Sequence, residues 1–421
     1  MDKIQKIKGF ADLFPPDSGV FSFIEGTARD VFARYGYKEL RLPVLERTEL
    51  FARSIGEETD VVQKEMYTFP DRKGRSLTLR PEATAGVMRA VIEDKRAGEG
   101  LLKYFAYGPM FRYERPQKGR MRQFHQIDVE AVGSPDALLD AEVLLMLDEY
   151  LRALGLDNLT VELNSLGCRA CRPVFLDVLR EFLKGMHKEH LCEDCLRRKL
   201  TNPLRVLDCK VPQCKEFTAD APKITDHLCP ECAAHFAVVK GVLDAAGLRY
   251  TLSPRLVRGL DYYVRTTFEI VSGDIGAQSS VAGGGRYDGL TASLGGPDVP
   301  GVGFACGMER LALLIDRDLE VAPDFFLAVL DASGLALGLL LAQGLRRAGF
   351  AGEAPFAPRS VKSQMRAADK SGARFCLVLG TDELAAGTVV VKDMRAGGQE
   401  TVAQDLLEAY LRARLEEAKG E

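Results

Sequence analysis

The segment Phe124-His-Gln-Ile-Asp-Val-Glu-Ala131 decides the fold, because polar and apolar side chains alternate along it as they do in a half-buried strand. Gln126, Asp128 and Glu130 fall on one face, and the other face is mainly apolar. A second strand-like segment begins near Phe105, and a charged loop joins the two. The pattern predicts two paired strands that share one polar face.

The earlier of these two segments also carries charges on one face. Arg112 and Glu114 alternate with Phe111 and Tyr113, so the two charged side chains point the same way. Such a face is costly to bury without partners, which favours the floor of a ligand site. The solvated outer face of a hairpin is the alternative interpretation of the same pattern.

Another strand-like segment, Gly301-Val-Gly-Phe-Ala-Cys-Gly307, has only glycine and alanine on one face. Glycine lowers the stability of a strand, and it is usually found there because another group must approach the backbone closely. Arg310 follows at the start of an apolar helix, so a nucleotide base against the glycines and a phosphate against the arginine would fit both features. The alternative interpretation is purely structural, with the glycines placed where parts of the sheet cross closely and no ligand is involved.

Two further segments combine arginine, acid and tyrosine with glycine: Leu256-Val-Arg-Gly-Leu-Asp-Tyr-Tyr263 and Ala282-Gly-Gly-Gly-Arg-Tyr-Asp-Gly289. The first indicates a pocket lining, with an exposed strand end as the alternative, and the second indicates a flexible turn. Its glycines match neither the Walker phosphate loop nor the dinucleotide-binding pattern. Scattered arginines would have to hold any phosphates, which argues against Rossmann and P-loop folds.

The overall composition bounds the class of protein. A length of 421 residues predicts two or three domains, and 46% hydrophobic with 28% charged residues is typical of a soluble globular protein. The chain has no apolar run of about 18 residues and no signal-peptide pattern at its start, which predicts a cytoplasmic protein without a membrane partner. A net charge of -4 argues against unspecific coating of nucleic acid.

Eight of the ten cysteines lie between residues 168 and 232, in spacings that resemble half-sites for tetrahedral zinc. The candidate zinc ligands are Cys168, Cys171, Cys192, Cys195, Cys209, Cys214, Cys229 and Cys232. A reducing cytoplasm argues against a disulfide framework. Whether zinc binds stays open at this point, because only folding can bring the separated pairs together.

The pattern of elements predicts an interrupted domain followed by a smaller one. Residues 1–320 are rich in strand patterns, and apolar residues at helical spacing around Asp136 to Gly155 predict a packing helix there. An insertion at about 168–240 alternates helical patterns with the cysteine pairs. Residues 325–421 alternate strands and helices as a small α/β domain does.

Taken together, these residues resemble the histidyl-tRNA synthetases, a family of class II aminoacyl-tRNA ligases, over nearly the whole chain. Phe111–Glu114 with its loop and return strand is similar to class II motif 2, and Gly301–Arg310 to motif 3. Tyr37–Pro43, which its own pattern predicts to be a strand, is similar to the weaker motif 1 at the dimer interface. The two segments that combine arginine with tyrosine resemble those peculiar to the histidine enzymes. Arg359–Lys370 resembles part of their anticodon-binding domain.

The resemblance implies an α+β fold: a mostly antiparallel class II sheet flanked by helices, an inserted helical subdomain and a C-terminal α/β anticodon-binding domain. It implies a histidine–tRNA ligase that first forms histidyl-adenylate and pyrophosphate from histidine and ATP. The histidyl group then passes to the 3′ end of the histidine tRNA. A homodimer and Mg²⁺ bound with ATP are implied as well.

The resemblance also carries roles onto matching positions. Arg112 is expected to hold the α-phosphate and Arg310 the distal phosphates, while Arg258 bridges the histidine carboxylate and the α-phosphate. The remaining ATP-binding candidates are Glu114, Gly303 and Gly307, with Glu114 a neighbour of Mg²⁺.

For the amino acid, the residues expected to hold the α-amino group are Glu82, Thr84 and Gln126. Those expected to bind the imidazole are Glu130 and Tyr262, with Tyr263 and Tyr287 beside it. Paired hydrogen bonds to both ring nitrogens would reject analogues that lack them. Ala83 and Ala282 depart from the family's usual glycine and cysteine, and both are small enough for the pocket to survive.

Two alternatives belong to other classes of protein. One is a non-catalytic relative that senses histidine as a regulatory subunit of ATP phosphoribosyltransferase, but such relatives lack the anticodon domain and much of the segment around Arg258. The other is a zinc-dependent nucleic-acid-binding protein that has lost catalysis. In a ligase, any zinc would be structural and would brace an insertion that contacts the tRNA acceptor stem.

Overall fold

The computed structural model describes residues 3–57, 59–274, 280–317, 319, 322–357 and 359–417. The chain divides into two compact units, Met1–Leu319 and Glu320–Glu421. The predicted domain ends at residues 1, 320 and 421 lie outside the described residues. No helix within the described ranges is long and apolar enough to cross a lipid bilayer.

The first unit contains the longer strands and most of the helices. Its strands are β1 (Lys38–Glu39), β2 (Leu45–Arg47), β3 (Tyr67–Pro70), β4 (Ser76–Leu79), β5 (Leu102–Phe111), β6 (Gln123–Val132), β7 (Thr160–Ser165), β8 (Tyr250–Leu252), β9 (Val264–Val271), β10 (Ser280–Arg286) and β11 (Gly301–Gly307). Its helices are α1 (Asp17–Arg34), α2 (Thr48–Ile55), α3 (Thr84–Glu93), α4 (Ala137–Ala153), α5 (Cys171–Lys184), α6 (Glu193–Thr201), α7 (Leu204–Leu207), α8 (Pro212–Phe217), α9 (Pro230–Ala245), α10 (Leu290–Ser293) and α11 (Met308–Ala312).

Within the described residues, eight strands form the main sheet in the order β1-β5-β6-β11-β10-β9-β7-β8, and β2-β4-β3 form a small separate sheet. In the main sheet, β1 pairs with β5 and β7 with β8 in parallel, and the other neighbours are antiparallel. The register places Val129 opposite Phe304 and Gly284 opposite both Phe304 and Phe268. These apolar residues form the face that packs on α1, α4 and α9.

Helix α4 shows why the sequence packs in this way. The Asp136 side chain caps it by accepting a hydrogen bond from the Leu138 N–H at 2.9 Å. Leu139, Val143 and Leu147 recur at helical spacing and are buried, and each such side chain contributes about 1.5–3 kcal/mol on burial. The helix therefore fixes one face of the sheet and leaves the opposite face for a site.

Helices α5 to α9 lie between β7 and β8 in the sequence, and α5 to α8 have a core of their own. Phe175, Leu179 and Val206 are buried there, together with Cys195 and Cys214. Val257, next to the predicted pocket residue Arg258, belongs to the same core. The helical segment is thus packed against the Leu256–Tyr263 segment.

Three local predictions were wrong in detail. Tyr37–Pro43 is a strand only at Lys38–Glu39, the two residues that pair with β5. Ala282–Gly289 is not simply a turn, because its first five residues belong to β10, which is hydrogen-bonded on both sides by β9 and β11. Arg112 and Glu114 lie beyond the end of β5 at Phe111, in the connection to β6.

The second unit is a layered α/β structure. Its elements are β12 (Phe325–Val329), α12 (Leu335–Arg347), β13 (Gly352–Glu353), α13 (Val361–Ser371), β14 (Phe375–Leu379), α14 (Thr381–Ala386), β15 (Thr388–Asp393), β16 (Gln399–Ala403) and α15 (Leu407–Glu417). The sheet order is β13-β12-β14-β15-β16, with β12 parallel to both of its neighbours and β14, β15 and β16 antiparallel in turn. The predicted α+β class is confirmed.

Candidate active site

A cleft of about 340 Å³ opens on the face of the main sheet opposite the helices α1, α4 and α9. Its walls contain all the predicted histidine and ATP residues except Glu130. They are Glu82, Thr84, Arg112, Glu114, Gln126, Arg258, Tyr262, Tyr263, Tyr287, Gly303, Gly307 and Arg310. A volume of this size is within the range of small-molecule sites.

The floor of the cleft is formed by a row of residues across the sheet. Asp128 on β6 lies opposite Ala305 on β11, which lies opposite Gly283 on β10, which lies opposite Glu269 on β9. Because neighbouring strands in register present the same face, the two carboxylates border a strip of small residues. The sequence analysis did not identify Glu269 as a site residue, because only the strand register places it in this row.

The glycines of β11 have two different explanations. A Cβ on Gly303 would lie 2.1 Å from Glu130 Oε2 and 2.2 Å from the Val129 carbonyl oxygen, and one on Gly301 would meet the Tyr287 ring at 2.2 Å. Close packing within the protein therefore requires glycine at both positions. At Gly307 the nearest such contact is 3.7 Å, so this end of the strand leaves space in the cleft.

Glu130 lies just beneath the cleft and is almost fully buried, at 2% exposure. The Thr84 hydroxyl donates to Glu130 Oε1 at 2.6 Å, and the Tyr287 hydroxyl donates to Glu130 Oε2. Burial raises the pKa of Glu130 well above its usual value. The three side chains form a rigid polar corner beside Tyr262, whose ring is 5.9 Å from that of Tyr287.

Two more buried acids stand close to this corner. Glu82 Oε1 accepts from the Ala85 N–H at 2.9 Å, at the start of α3, and the Tyr262 hydroxyl lies 3.5 Å from Glu82 Oε2. Burial raises the pKa of Asp128 to about 8, and the neighbouring Glu82 carboxylate adds to the shift. Asp128 was placed on the polar face from the sequence but was given no role there. A cleft with this acid cluster suits a cationic group such as an amine.

The opposite end of the cleft is rich in arginine. Arg112 is held by a bond from its Nε to the Pro81 carbonyl at 2.9 Å, and Arg310 by a bond from its Nε to the Gly119 carbonyl at 3.3 Å. Burial and the nearby Arg120 guanidinium lower the pKa of Arg310. Glu114 forms an ion pair with Arg120. Clustered guanidinium groups of this kind favour a polyanion such as a phosphate chain.

Arg258 connects the two ends. Its guanidinium lies over Gly283, where a Cβ would come within 2.4 Å of Nη1, and Nη1 is 3.4 Å from Glu269 Oε1. The side chain also lies 5.7 Å from the centre of the Tyr263 ring. Gly283 is therefore the position on β10 that admits Arg258 to the cleft.

Three buried polar atoms on the cleft wall have no hydrogen-bond partner within the part of the chain that the structure describes. They are Gln126 Oε1, Asp128 Oδ2 and Arg258 Nε. Buried polar groups are nearly always paired, so an unpaired set that shares one cleft indicates that a polar ligand completes it.

Arg286, by contrast, does not line the cleft, although it lies in the glycine-rich segment that supplies Gly283 and Tyr287 to it. Its fully buried guanidinium pairs with Asp140 of α4, and Nε donates to Asp140 Oδ1 at 2.9 Å. Asp140 also lies 2.8 Å from His235 Nε2 of α9. Arg286 thus anchors β10 to the helices and leaves the next residue, Tyr287, to face Glu130.

The eight cysteines of the insertion meet in two groups of four, which we call cluster A (Cys168, Cys171, Cys229 and Cys232) and cluster B (Cys192, Cys195, Cys209 and Cys214). Within each cluster the sulfur atoms all lie within 4.8 Å of one another, and all eight are free thiols. The Sγ atoms of Cys168 and Cys229 are 3.9 Å apart, as are those of Cys192 and Cys209. A tetrahedral zinc ion with bonds of about 2.3 Å separates its sulfur ligands by about 3.8 Å.

The chemistry of the thiols is consistent with metal ligation. Burial opposes ionisation of Cys168, yet hydrogen bonds from the backbone of Cys171 and Ala170 hold its pKa down to about 6. The Cys192 N–H donates to Cys214 Sγ at 3.1 Å. A soft, four-thiolate, closed site is the arrangement that structural zinc prefers.

An antiparallel sheet with a small-residue floor, an acidic pocket at one end and an arginine cluster at the other defines a class II aminoacyl-tRNA synthetase. The histidyl-tRNA synthetase family model matches residues 9–311, and an anticodon-binding domain model matches residues 335–414. The chain belongs to the histidyl-tRNA synthetase family.

Individual relatives agree over the full length. The chain is 86% identical over 415 residues to a histidine–tRNA ligase of Solidesulfovibrio magneticus, covering 99% of both chains. It is 63% identical over 409 residues to one of Oleidesulfovibrio alaskensis, covering 96% of this chain and 98% of the relative. The apo histidyl-tRNA synthetase of S. aureus superposes with a TM-score of 0.82 at 37% identity, covering 97% of this chain and 100% of that one.

These comparisons confirm the predicted family and the predicted enzyme class, a histidine–tRNA ligase. They do not favour the regulatory subunit of ATP phosphoribosyltransferase. The individual roles of the cleft residues, the bounds of the predicted domains and the binding of zinc stay predictions.

Proposed function

We propose that the cleft binds histidine at its acidic end and ATP at its arginine end, so that the two reacting groups meet beside Arg258. A carboxylate oxygen of histidine would form a bond to the α-phosphorus of ATP, and the bond from that phosphorus to the pyrophosphate oxygen would break. The observation that carries this proposal is the set of three buried polar atoms on the cleft wall that have no hydrogen-bond partner among the residues the structure describes. Each would gain a hydrogen bond from the bound substrates.

The acidic end supports a specific role for each group. Glu130, held by Thr84 and Tyr287, offers a fixed carboxylate to an imidazole N–H, with Tyr262 beside it. Glu82 and Gln126 are available for the α-amino group. A buried site of this kind discriminates strongly against amino acids whose side chains cannot make the same hydrogen bonds.

The arginine end would act by electrostatic stabilisation. Arg112 and Arg258 would hold the α-phosphate, where negative charge develops, and Arg310 would hold the distal phosphates. Mg²⁺ would enter with ATP. Glu114 faces the cleft but is paired with Arg120, so a direct role in holding the ion requires that pair to open.

The test is exchange of labelled pyrophosphate into ATP, measured with each amino acid in turn. We expect exchange with histidine alone, and a loss of about 10²–10³-fold in Arg258→Ala, the size typical of removing one group that stabilises the transition state. Arg152→Ala is the matched control, because Arg152 is an exposed surface residue paired with Asp148. Exchange that survives in Arg258→Ala would refute the role of Arg258, and no exchange in the folded wild type would refute the proposal as a whole.

We further propose that the enzyme works as a homodimer in the cytoplasm. Val44 and Leu45 directly follow the segment that resembles class II motif 1, at 36% and 42% exposure, and such apolar side chains are suited to a subunit contact. Sedimentation velocity of the wild type and of Leu45→Asp tests the dimer. A wild-type monomer at micromolar concentration would refute it.

We also propose one structural zinc ion in cluster A and one in cluster B. Elemental analysis of protein purified without chelator is expected to give two zinc ions per chain, and Cys195→Ser is expected to give one. A wild-type protein without bound metal would refute this part while leaving the ligase proposal intact.

A further inference from the structure

The segment Leu256–Tyr263 carries Arg258, Tyr262 and Tyr263 into the cleft, but it forms neither a helix nor a strand. Its backbone groups therefore lack the hydrogen-bond ladder that fixes the neighbouring strands. Other parts of the protein must hold it if the cleft is to keep its shape, since a catalytic group displaced by about 1 Å can lose 10²-fold in rate.

Side chains from the insertion supply part of that support. Arg205 Nη1 donates to the Arg258 carbonyl oxygen at 2.8 Å, and Asn202 Nδ2 donates to Asp261 Oδ1 at 3.1 Å. Arg205 is largely buried, at 19% side-chain exposure. A hydrogen bond from a charged donor to a carbonyl oxygen is among the stronger ones in proteins.

The end of the segment is held in the same way by a different arginine. Arg172 donates through Nη2 to the carbonyl oxygen of Tyr263. Arg172 is the residue after Cys171, at the first turn of α5. Neither Arg172 nor Arg205 lines the cleft, so both act on it only through the backbone of the segment.

The side chains that hold the Leu256–Tyr263 segment lie close in sequence to the cysteines of the two clusters. Arg172 directly follows a cysteine of cluster A, and Asn202 and Arg205 lie in the stretch of chain between Cys195 and Cys209, which both belong to cluster B. Binding Cys195 and Cys209 to one metal ion ties the two ends of this stretch together and removes much of its conformational freedom. Each cluster therefore fixes the backbone position from which one arginine side chain reaches the Leu256–Tyr263 segment.

We propose that Arg172 and Arg205 are positioning residues for histidine activation, and that metal-bound clusters A and B fix these arginines in place. The insertion thus shapes the amino-acid site and has a role apart from any contact with tRNA. This inference rests on the proposed histidine–ATP cleft and on the proposed zinc sites.

The test uses Arg205→Ala, Arg205→Lys and the control Arg180→Ala, with pyrophosphate exchange measured in the absence of tRNA and zinc content determined on the same samples. Arg180 is an exposed residue of α5 in the same insertion, paired with Asp177. We expect Arg205→Ala to lower kcat/KM for histidine by roughly tenfold or more, the loss typical of one charge-assisted hydrogen bond. Its KM for histidine should rise and its zinc content should stay unchanged.

The other variants separate positioning from a general structural role. Arg205→Lys keeps a cationic donor and should recover part of the loss, while Arg180→Ala should match the wild type. Loss of folded enzyme alone would lower kcat without changing the KM for histidine. An unchanged KM in Arg205→Ala with zinc retained would overturn the inference, and so would loss of zinc from that variant, because Arg205 would then support the cluster.

The metal link is tested on the wild type by removing zinc with a chelator and adding it back. Removal should raise the KM for histidine in the exchange reaction, and zinc should restore it. Exchange kinetics that do not change on removal would overturn the link between the clusters and the cleft. Absence of exchange in the untreated wild type would instead refute the proposed function, so the two failures are distinguishable.

Discussion

Replacing Asp140 by asparagine is expected to destabilise the first unit by about 3 kcal/mol. Asp140 and Arg286 are both fully buried, at 0% side-chain exposure. Asparagine keeps an acceptor oxygen but removes the negative charge, and breaking a buried ion pair typically costs about 3–5 kcal/mol because the remaining charge is uncompensated. Asp288 stays 3.1 Å from the same guanidinium and retains part of the compensation, which places the value at the lower end.

This loss of stability converts into a measurable change in melting temperature. Unfolding entropy is about 2.1 cal/mol/K per residue, so a unit of about 320 residues has roughly 0.7 kcal/mol/K, and 3 kcal/mol corresponds to about 4 °C. Scanning calorimetry of Asp140→Asn at pH 7.5 should show this decrease. Asp148→Asn is the control, since Asp148 pairs with Arg152 on the surface, and its melting temperature should change by about 1 °C or less.

The pH dependence of the same variant provides a second check. Burial opposes the charge of Asp140, but the bonds from His235 and Arg286 bring its pKa below the usual value. A depressed carboxyl pKa contributes stability above the unfolded value of about 4, and this contribution is lost as the pH falls through the folded value. The wild type and the variant should therefore converge below about pH 4. A decrease of less than 1 °C at pH 7.5, or an equal decrease in the control, would refute the reasoning.

Three further predictions concern the cleft. Gly303→Ala should lose about 1–3 kcal/mol of stability and most of its pyrophosphate exchange activity, because the new Cβ would lie 2.2 Å from a backbone oxygen. Gly307→Ala should fold normally, since its Cβ has space. Melting curves of the two variants test this difference. Tyr287→Phe removes the hydroxyl bound to Glu130 and should raise the KM for histidine roughly tenfold, with kinetics close to wild type arguing against that contact. Asp128→Asn should raise the melting temperature at pH 7 and flatten the fall in melting temperature between about pH 4 and 8. In this range the unfolded carboxyl group ionises, whereas the buried one, with its pKa raised to about 8, stays protonated; parallel pH profiles of the wild type and the variant would contradict this.

Much of the fold follows from local pattern. The alternation in Phe124–Ala131 predicts β6 with its polar face towards the site, and the helical repeat after Asp136 predicts α4. Both succeed because the periods of side chains on strands and helices are properties of the backbone. The short strand at Lys38–Glu39 and the strand at Ser280–Arg286 were misjudged because their extent depends on neighbouring strands, distant in sequence, that pair with them.

The sequence by itself determined which chemical groups the site contains, since arginines, acids and tyrosines stand in short segments whose spacing is local. Tertiary structure alone decided how they combine. The two CxxC pairs of cluster A are separated by the whole of cluster B, so their partnership depends on the packing of α5 and α9 and on no feature of spacing. Likewise, Arg258 reaches the cleft because strand register puts Gly283 beneath it, and Arg286 forms a buried ion pair because the packing of α4 on the sheet puts Asp140 beside it. Contacts between residues so far apart in the chain arise only when register and packing are complete.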